Sequence, residues 1–318
     1  MKYTWAFIAL AGLAMPALGQ EYPSKPVRMV LPFPAGGGSD TIARVVAQKL
    51  TTSLGQAVLV DNRAGASGNV AAEIVARSPA DGYTLLFGNS SLSISPAVYK
   101  KLNYDPVKDF AAVSMASSYP FVLVIHPSLP VHSVKALVAL AKGKPGDLSY
   151  ASAGGGTMSH MAMEMFRVRT GIKAQHLPYK GAAPASVSIL SGETQLGFIV
   201  MPVAAVQIKA GKLRGLAIAG PERSTAVPGL PTMEEAGVKD NVALQWNGIL
   251  APARTPPAVI DRLYREMAKT VHLPDVVQRF EAEGAKPSGS SPAEFTAFFK
   301  AENDKWADVA RKSGTHLD

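Results

Sequence analysis

The sequence predicts an α/β protein built as two hinged lobes around an interlobe cleft, and three observations carry that prediction. Apolar runs of strand length alternate with helical patterns along nearly the whole chain. One local plan, a β-branched run ending in a glycine loop and then a helix start, occurs at Met29–Leu50 and recurs at Leu148–Phe166. The 318 residues, 47% of them hydrophobic, supply enough material for two domains of roughly 150 residues each.

Residues 1–19 are expected to be a secretory signal peptide. Lys2 precedes an apolar stretch from Trp5 to Met15, and Ala17-Leu18-Gly19 forms a small-x-small site before Gln20-Glu21. The apolar run is shorter than the roughly 20 residues that span a bilayer. The mature chain is therefore expected in the periplasm, soluble. The cleavage site offers no cysteine for lipidation, and the chain has none anywhere, which excludes disulfides and thiolate metal sites.

Lobe 1 is expected to comprise residues 20–122 and 248–318, and lobe 2 residues 123–247. In the opening unit a strand ends at Pro32, Gly36, Gly37 and Gly38 form the loop, and Ser39 stands at the N-cap position. Ile42, Val45, Val46, Lys49 and Leu50 then share a helical stripe. Glycines let a backbone approach a ligand closely, and a helix start presents unpaired N–H groups with a partial positive charge. Strand, loop and helix start thus form an anion cradle.

Ala57–Val60 reads as a second strand running into Asn62-Arg63-Ala64-Gly65-Ala66-Ser67-Gly68, with a helix carrying Val70, Ile74 and Val75. A third strand, Tyr83–Phe87, ends at Gly88-Asn89-Ser90-Ser91, read as a polar loop. Three strands so release polar loops at their C-terminal ends, the edge at which open α/β sheets bind ligands. Val113–Ile125, broken by Pro120, is the candidate crossing into lobe 2, and Ser133–Lys142 is a helix.

The second cradle follows: Leu148–Ser152, then Gly154, Gly155 and Gly156, a hydroxyl N-cap at Thr157, and a helix through Met161, Met165 and Phe166. Ala174–Leu177 is a strand, Ser186–Leu190 begins a helix, Gln195–Val200 and Leu213–Ala219 are buried strands, and Pro221–Pro231 is a loop. Asn241–Leu250 is the candidate return crossing. Val259–Val271, Asp275–Glu283 and Pro292–Lys312 close the chain as helices.

Several functions are excluded by residue chemistry. A net charge of +8, or +7 without Lys2, comes from scattered Lys and Arg with no basic stripe carrying stacking aromatics, so nucleic acid is not an expected partner. A dinucleotide fingerprint from Gly36 needs glycine where Thr41 stands, and a P-loop needs Lys-Ser/Thr where Ser39-Asp40 stand. Gly65-Ala66-Ser67-Gly68 is one residue short of a nucleophile elbow. The histidines at 126, 132, 160, 176, 272 and 316 show no metal-ligand spacing. No metal, cofactor or catalytic residue is expected.

Individual residues carry two readings each. His160 is either a structural partner of a neighbouring loop or a ligand contact. Asp40 is either a first-turn carboxylate complementing the helix dipole or part of the site. Arg63 either ties down its own loop or pairs with a ligand, and Trp246 is either a core or hinge aromatic or a stacking platform.

The motifs Tyr22-Pro23-Ser24-Lys25-Pro26, Pro32-Phe33-Pro34-Ala35-Gly36-Gly37-Gly38-Ser39-Asp40, Asn62-Arg63-Ala64-Gly65-Ala66, Ser152-Ala153-Gly154-Gly155-Gly156-Thr157 with His160, Pro178-Tyr179-Lys180-Gly181, Pro231–Gly237 and Trp246-Asn247-Gly248 resemble those of the Bug-family extracytoplasmic solute receptors. These are the substrate-binding components of tripartite tricarboxylate transporters. The resemblance covers nearly the whole mature chain, with Ala253-Arg254 in place of the commoner Ala-Gly. It implies a type II periplasmic-binding-protein fold closing on a small organic carboxylate, a di- or tricarboxylate or an aromatic acid. In that family one carboxylate is held by backbone N–H groups and bridging waters. The corresponding candidates here are Phe33, Ala35, Gly36, Gly37, Ser39, Asp40, Ala66, Ser67, Gly68, Ser90, Ser152, Ala153, Gly155, Thr157 and His160. The implied partners are membrane permease subunits, and the receptor is expected to be a monomer. A ligand-sensing receptor for a two-component system and a secreted hydrolase using Ser67 or Ser152 are the alternatives.

Overall fold

The structure, a computed structural model, describes residues 22–36, 38–282 and 284–317. The expected signal peptide and Gly37 lie outside the described residues. In chain order the elements of the first lobe are β1 (Val27–Leu31), α1 (Gly38–Leu54), β2 (Val58–Asn62), a 3-10 turn (Ala66–Gly68), α2 (Asn69–Ala76), β3 (Thr84–Asn89) and α3 (Ser91–Val98). The long strand β4 (Phe110–Ile125) leads to α4 (Val134–Gly143), β5 (Ser149–Ser152), α5 (Met158–Thr170), β6 (Gln175–Pro178), α6 (Ala182–Ser191), β7 (Leu196–Val200), α7 (Met201–Lys209) and β8 (Arg214–Ala219). The chain returns through β9 (Leu244–Pro252) and ends with α8 (Pro257–Val271), α9 (Pro274–Ala282), β10 (Lys286–Pro287) and α10 (Pro292–Ser313).

One curled sheet runs through both lobes in the order β2-β1-β3-β9-β4-β7-β5-β6, with β10 and β8 also paired to β4. β1 pairs in parallel with β2 and β3, and β5 in parallel with β6 and β7, so each lobe has a parallel set whose C-terminal ends share one edge. β4 belongs to both halves. Its residues Phe110–Pro120 pair antiparallel with β9, and Phe121–Ile125 pair with β7 and β8. The change of partner falls just after Pro120, which has no N–H to give to a ladder.

Burial explains which runs became these elements. Ile42, Val46 and Leu50 of the predicted α1 stripe are buried against the lobe 1 sheet, and Met158, Met161 and Met165 are core residues of lobe 2. α3 is a difference from the sequence reading, which took its start as a polar loop. Its serines and Pro96 are weak helix formers, yet Ile94 and Val98 pack into the core of lobe 2, and that burial makes the segment helical. α10 likewise serves both lobes. Phe295 and Phe299 pack around Trp246 in lobe 1, while Trp306, Val309 and Ala310 join the core of lobe 2. Trp246 is fully buried, ringed edge-on by Phe295, Phe298 and Phe299 at 5.4, 6.3 and 5.7 Å, so it is a core aromatic. Two residues on, a Cβ at Gly248 would stand 2.6 Å from Phe295 Cζ and 3.0 Å from the Ser114 carbonyl, which is why β9 carries glycine there. Among the described residues no helix is long and apolar enough to cross a membrane.

Candidate functional site

The loops after β1, β2 and β3 leave one sheet edge of lobe 1, and the loop after β5 leaves the matching edge of lobe 2. In the first, Asn62 at the end of β2 donates through Nδ2 to the Phe33 carbonyl and to Asp40 Oδ1, both at 2.9 Å. Asp40 Oδ2 accepts the Gly36 N–H at 3.0 Å and Arg44 Nε at 2.9 Å. Asp40 is 4% exposed. Burial pushes its carboxyl up, but the bonds from Arg44, Gly36 and Asn62 together hold it down at about 2. Both carboxylate oxygens are thereby committed to the loop and to the first turn of α1, a reach-back of the capping-box kind.

Ser39 differs from its expected role. α1 already begins at Gly38, so the Ser39 side chain lies inside the first turn, where its hydroxyl donates to Asn247 Oδ1 of β9 at 2.9 Å. The loop is in this way tied to the strand that crosses between lobes. Ser90, fully buried, donates to Gln245 Oε1 of the same strand at 2.9 Å. Arg63 binds Asp61, two residues back in β2, at 3.0 Å.

The loop after β2 turns sharply. Ala66 and Ser67 have φ of 45° and 54°, the left-handed region, which costs a non-glycine residue about 1–2 kcal/mol. Such strain is held only where the surroundings fix it. Here Tyr99 at the end of α3 donates to Ser67 Oγ at 3.2 Å, and Ser67 Oγ reaches the Gly155 carbonyl across the cleft at 3.5 Å. This is the place where the loops of the two lobes meet. A cavity of about 10 Å³, the size of one water, lies between Pro32, Gly68, Asn89 and Tyr104 beneath it. Among the described residues no hydrogen bond joins Phe33–Asp40 directly to Ser152–Thr157; the bond between the two lobes' loops is the one from Ser67 to Gly155.

In lobe 2 the glycine loop is fastened from below. Ser152 Oγ lies 2.6 Å from His176 Nε2, the Ala153 N–H donates to Ser159 Oγ at 3.0 Å, and the Gly156 N–H donates to His160 Nδ1 at 3.2 Å. Thr157 Oγ1 donates back to the Gly154 carbonyl at 2.7 Å and so does not cap α5. The first-turn N–H groups of α5, beginning at the buried Met158, keep no side-chain cap, and the same holds for α2 behind Gly68. α4 and α10, by contrast, are capped by Ser133 and by a Ser291–Glu294 capping box. Uncapped helix starts at the sheet edge leave backbone donors and the positive dipole end available to an anion. A Cβ at Gly155 would stand 2.8 Å from Leu317 Cδ2, so a side chain there displaces the tail that follows α10.

Below this loop lies a buried polar cluster. Glu164, 3% exposed, accepts two bonds from Arg167 Nη1 at 2.7 and 2.8 Å and one from the Tyr150 hydroxyl. His160 and His176 stack at 4.1 Å with 7° between their planes, and Tyr150 stacks on His176 at 4.8 Å. Burial, aided by the Arg167 charge, lowers His160 to about 4, and burial with the neighbouring His160 lowers His176 to about 4. Both rings are neutral at physiological pH. His176, Asn62, Tyr99 and Gln245 are the contributors that sequence reasoning missed; Asn62 carried a signal as part of the Asn62-Arg63 motif. No group of three or more His, Asp or Glu able to hold a metal occurs among the described residues.

Comparison with known proteins adds four findings. A family model described as the tripartite tricarboxylate transporter family receptor matches residues 42–315. The chain is 40% identical over 313 residues to Protein BugT of Bordetella pertussis, covering 98% of this chain and 96% of that one. It superposes on the adipate-bound Rpa4515 protein of R. palustris with a TM-score of 0.83 and 33% identity, over 93% of this chain and 100% of that one. For MatC of Rhodopseudomonas palustris with bound malate, the TM-score is 0.80 at 28% identity, over 91% of this chain and 99% of that one.

Proposed function

The chain belongs to the tripartite tricarboxylate transporter receptor family, and from that premise we propose that it is a periplasmic receptor that closes its two lobes on a small organic carboxylate and delivers it, unconverted, to membrane permease subunits. The observation that carries this reading is the pair of loops at uncapped helix starts, Gly65–Gly68 before α2 in lobe 1 and Gly154–Thr157 before α5 in lobe 2, which meet where Ser67 reaches Gly155. Backbone N–H donors on two hinged bodies suit a ligand that must be gripped and later released. Each charge-assisted hydrogen bond contributes about 1.5–3 kcal/mol, so a few of them hold an acid firmly while domain opening still frees it. Ala35, Gly36, Gly37 and Ser39 on one side, and Ala153, Gly155 and Thr157 on the other, are assigned to the ligand carboxylate, with Ala66, Ser67 and Gly68 closing the third side and Phe33 lying against the ligand body. Asp40, Ser90, Ser152 and His160, whose polar atoms engage protein partners, are assigned to holding these loops. The protein acts as a monomer in this scheme.

Adipate and malate, the ligands of two relatives, set the chain length to try first. A thermal-shift screen of dicarboxylates, tricarboxylates and aromatic acids is expected to single out one class, because ligand at about 100 times its dissociation constant adds about 2.7 kcal/mol of stability. A flat response to every acid would refute the assignment.

A further inference from the structure

The lobe 2 glycine loop rests on two imidazoles, and its hydrogen bonds suggest where each carries its proton. Gly154 O accepts Thr157 Oγ1 at 2.7 Å and the Thr157 N–H at 3.3 Å, and the Ser152 hydroxyl also lies within reach of it at 3.2 Å. The Gly154 N–H donates to Ser152 Oγ at 3.2 Å. The Ser152 hydroxyl reaches two acceptors, the Gly154 carbonyl at 3.2 Å and His176 Nε2 at 2.6 Å; the carbonyl already takes two bonds from Thr157, so the proton is placed on the shorter contact. His176 accepts at Nε2 and carries its proton on Nδ1. His160 is the opposite case: its Nδ1 accepts the Gly156 N–H, so its proton sits on Nε2, which lies 3.8 Å from Glu164 Oε1. Two stacked, neutral rings of opposite tautomer thus hold the glycines on either side of Gly155.

We propose that the stacked His160–His176 pair is the positioning element of the lobe 2 cradle, and that a proton taken up by either ring unlatches the loop and weakens ligand binding. The proposal rests on the reading of this loop as a carboxylate cradle. A proton on His160 sets an N–H against the Gly156 N–H. A proton on His176 sets an N–H against the Ser152 hydroxyl, whose proton must then turn to the longer, 3.2 Å contact with a Gly154 carbonyl that already accepts two bonds from Thr157. The charged and titratable groups facing the pair are Tyr150 from β5 and Glu164 and Arg167 from α5. Glu164 favours a proton on the pair. Its charge is, however, already compensated by Arg167 and the Tyr150 hydroxyl, so burial and Arg167 keep the rings neutral through mild acid. Because the rings are stacked, a proton on His160 disfavours one on His176.

The test follows the full-length mature protein by nuclear magnetic resonance from neutral pH downward, reading the histidine ring nitrogens and the amides of Gly154 and Gly156 without ligand. At neutral pH the rings are expected to show opposite tautomers. The two glycine amides should stay fixed through mild acid and then move together with the ring signals, near pH about 4. Rings of the same tautomer, or glycine amides that ignore the ring titration, overturn the proposal. A second arm titrates adipate and malate into wild type and His176→Phe, which keeps a stacked ring and deletes the acceptor. The variant is expected to bind at least tenfold more weakly at neutral pH, with the ratio between the two proteins shrinking toward one in acid. That ratio cancels ionisation of the ligand itself. Equal affinity at neutral pH overturns the proposal, whereas failure of both acids to bind wild type counts against the carboxylate reading and leaves the ring titration to decide the latch.

Discussion

Asp40→Ala is expected to lose about 2–4 kcal/mol of stability and to weaken carboxylate binding by a factor of about 100 or more. The substitution removes the acceptor of the Gly36 N–H, of Arg44 Nε and of one Asn62 bond at once, so the loop between β1 and α1 loses the group that sets its path. A competing effect has the opposite sign, since a carboxylate beside an anion site repels the ligand. The geometry decides between them. Asp40 is buried and directly paired with Arg44 at 2.9 Å, which leaves little net charge to act on a ligand and makes the loop-setting effect the larger. Asp40→Asn separates the two, because it deletes the charge and keeps most of the shape. Weaker binding by Asp40→Asn in calorimetry supports the positioning role; tighter binding would show that repulsion dominates.

Trp246→Ala is expected to cost about 3–5 kcal/mol, the range for deleting a large buried aromatic. Trp246 is a fully buried residue in the strand that runs between the lobes, and it is enclosed by three phenylalanines of α10. These rings come from one helix turn and a half, so they cannot collapse independently to fill the space. β9 also carries Gln245 and Asn247, the partners of Ser90 and Ser39. Loosening it should therefore lower ligand affinity as well as stability. Denaturant titration reads the first effect. Trp246→Phe, which retains most of the ring volume, should recover more than half of the loss; a Trp246→Ala midpoint equal to wild type would contradict the packing account.

The parts of this fold that were legible in the sequence are those specified locally. The strand, glycine loop and helix of each cradle depend on residues a few positions apart, and both units stand where the spacing predicts them, with Ile42, Val46 and Leu50 of the α1 stripe buried, Val45 and Lys49 only partly so, and Met161, Met165 and Phe166 of α5 buried. The parts that were not legible depend on register or tertiary burial. His176 meets Ser152 and His160 because β6 lies beside β5 with His176 opposite Tyr150. Asn62 reaches Asp40 because β2 sets it opposite Leu31 at the end of β1. α3 begins directly after a strand with serines, a signal that reads as a polar loop until the core covers it, and α7, beginning at Met201-Pro202 directly after β7, has no counterpart in the sequence reading. The division of α10 between two cores follows from lobe packing that no periodicity encodes.

The central claim is that a carboxylate is held between two glycine loops by backbone donors and is released unchanged. Calorimetric titration at neutral pH of adipate and malate, each beside its dimethyl ester, tests it most directly, with the ligand recovered afterwards for analysis. The account predicts that at least one acid binds one-to-one, that its ester, uncharged and larger by two methyl groups, gives no measurable heat, and that the acid is recovered intact. Binding of the ester as tightly as the acid, or conversion of either during the titration, would contradict it.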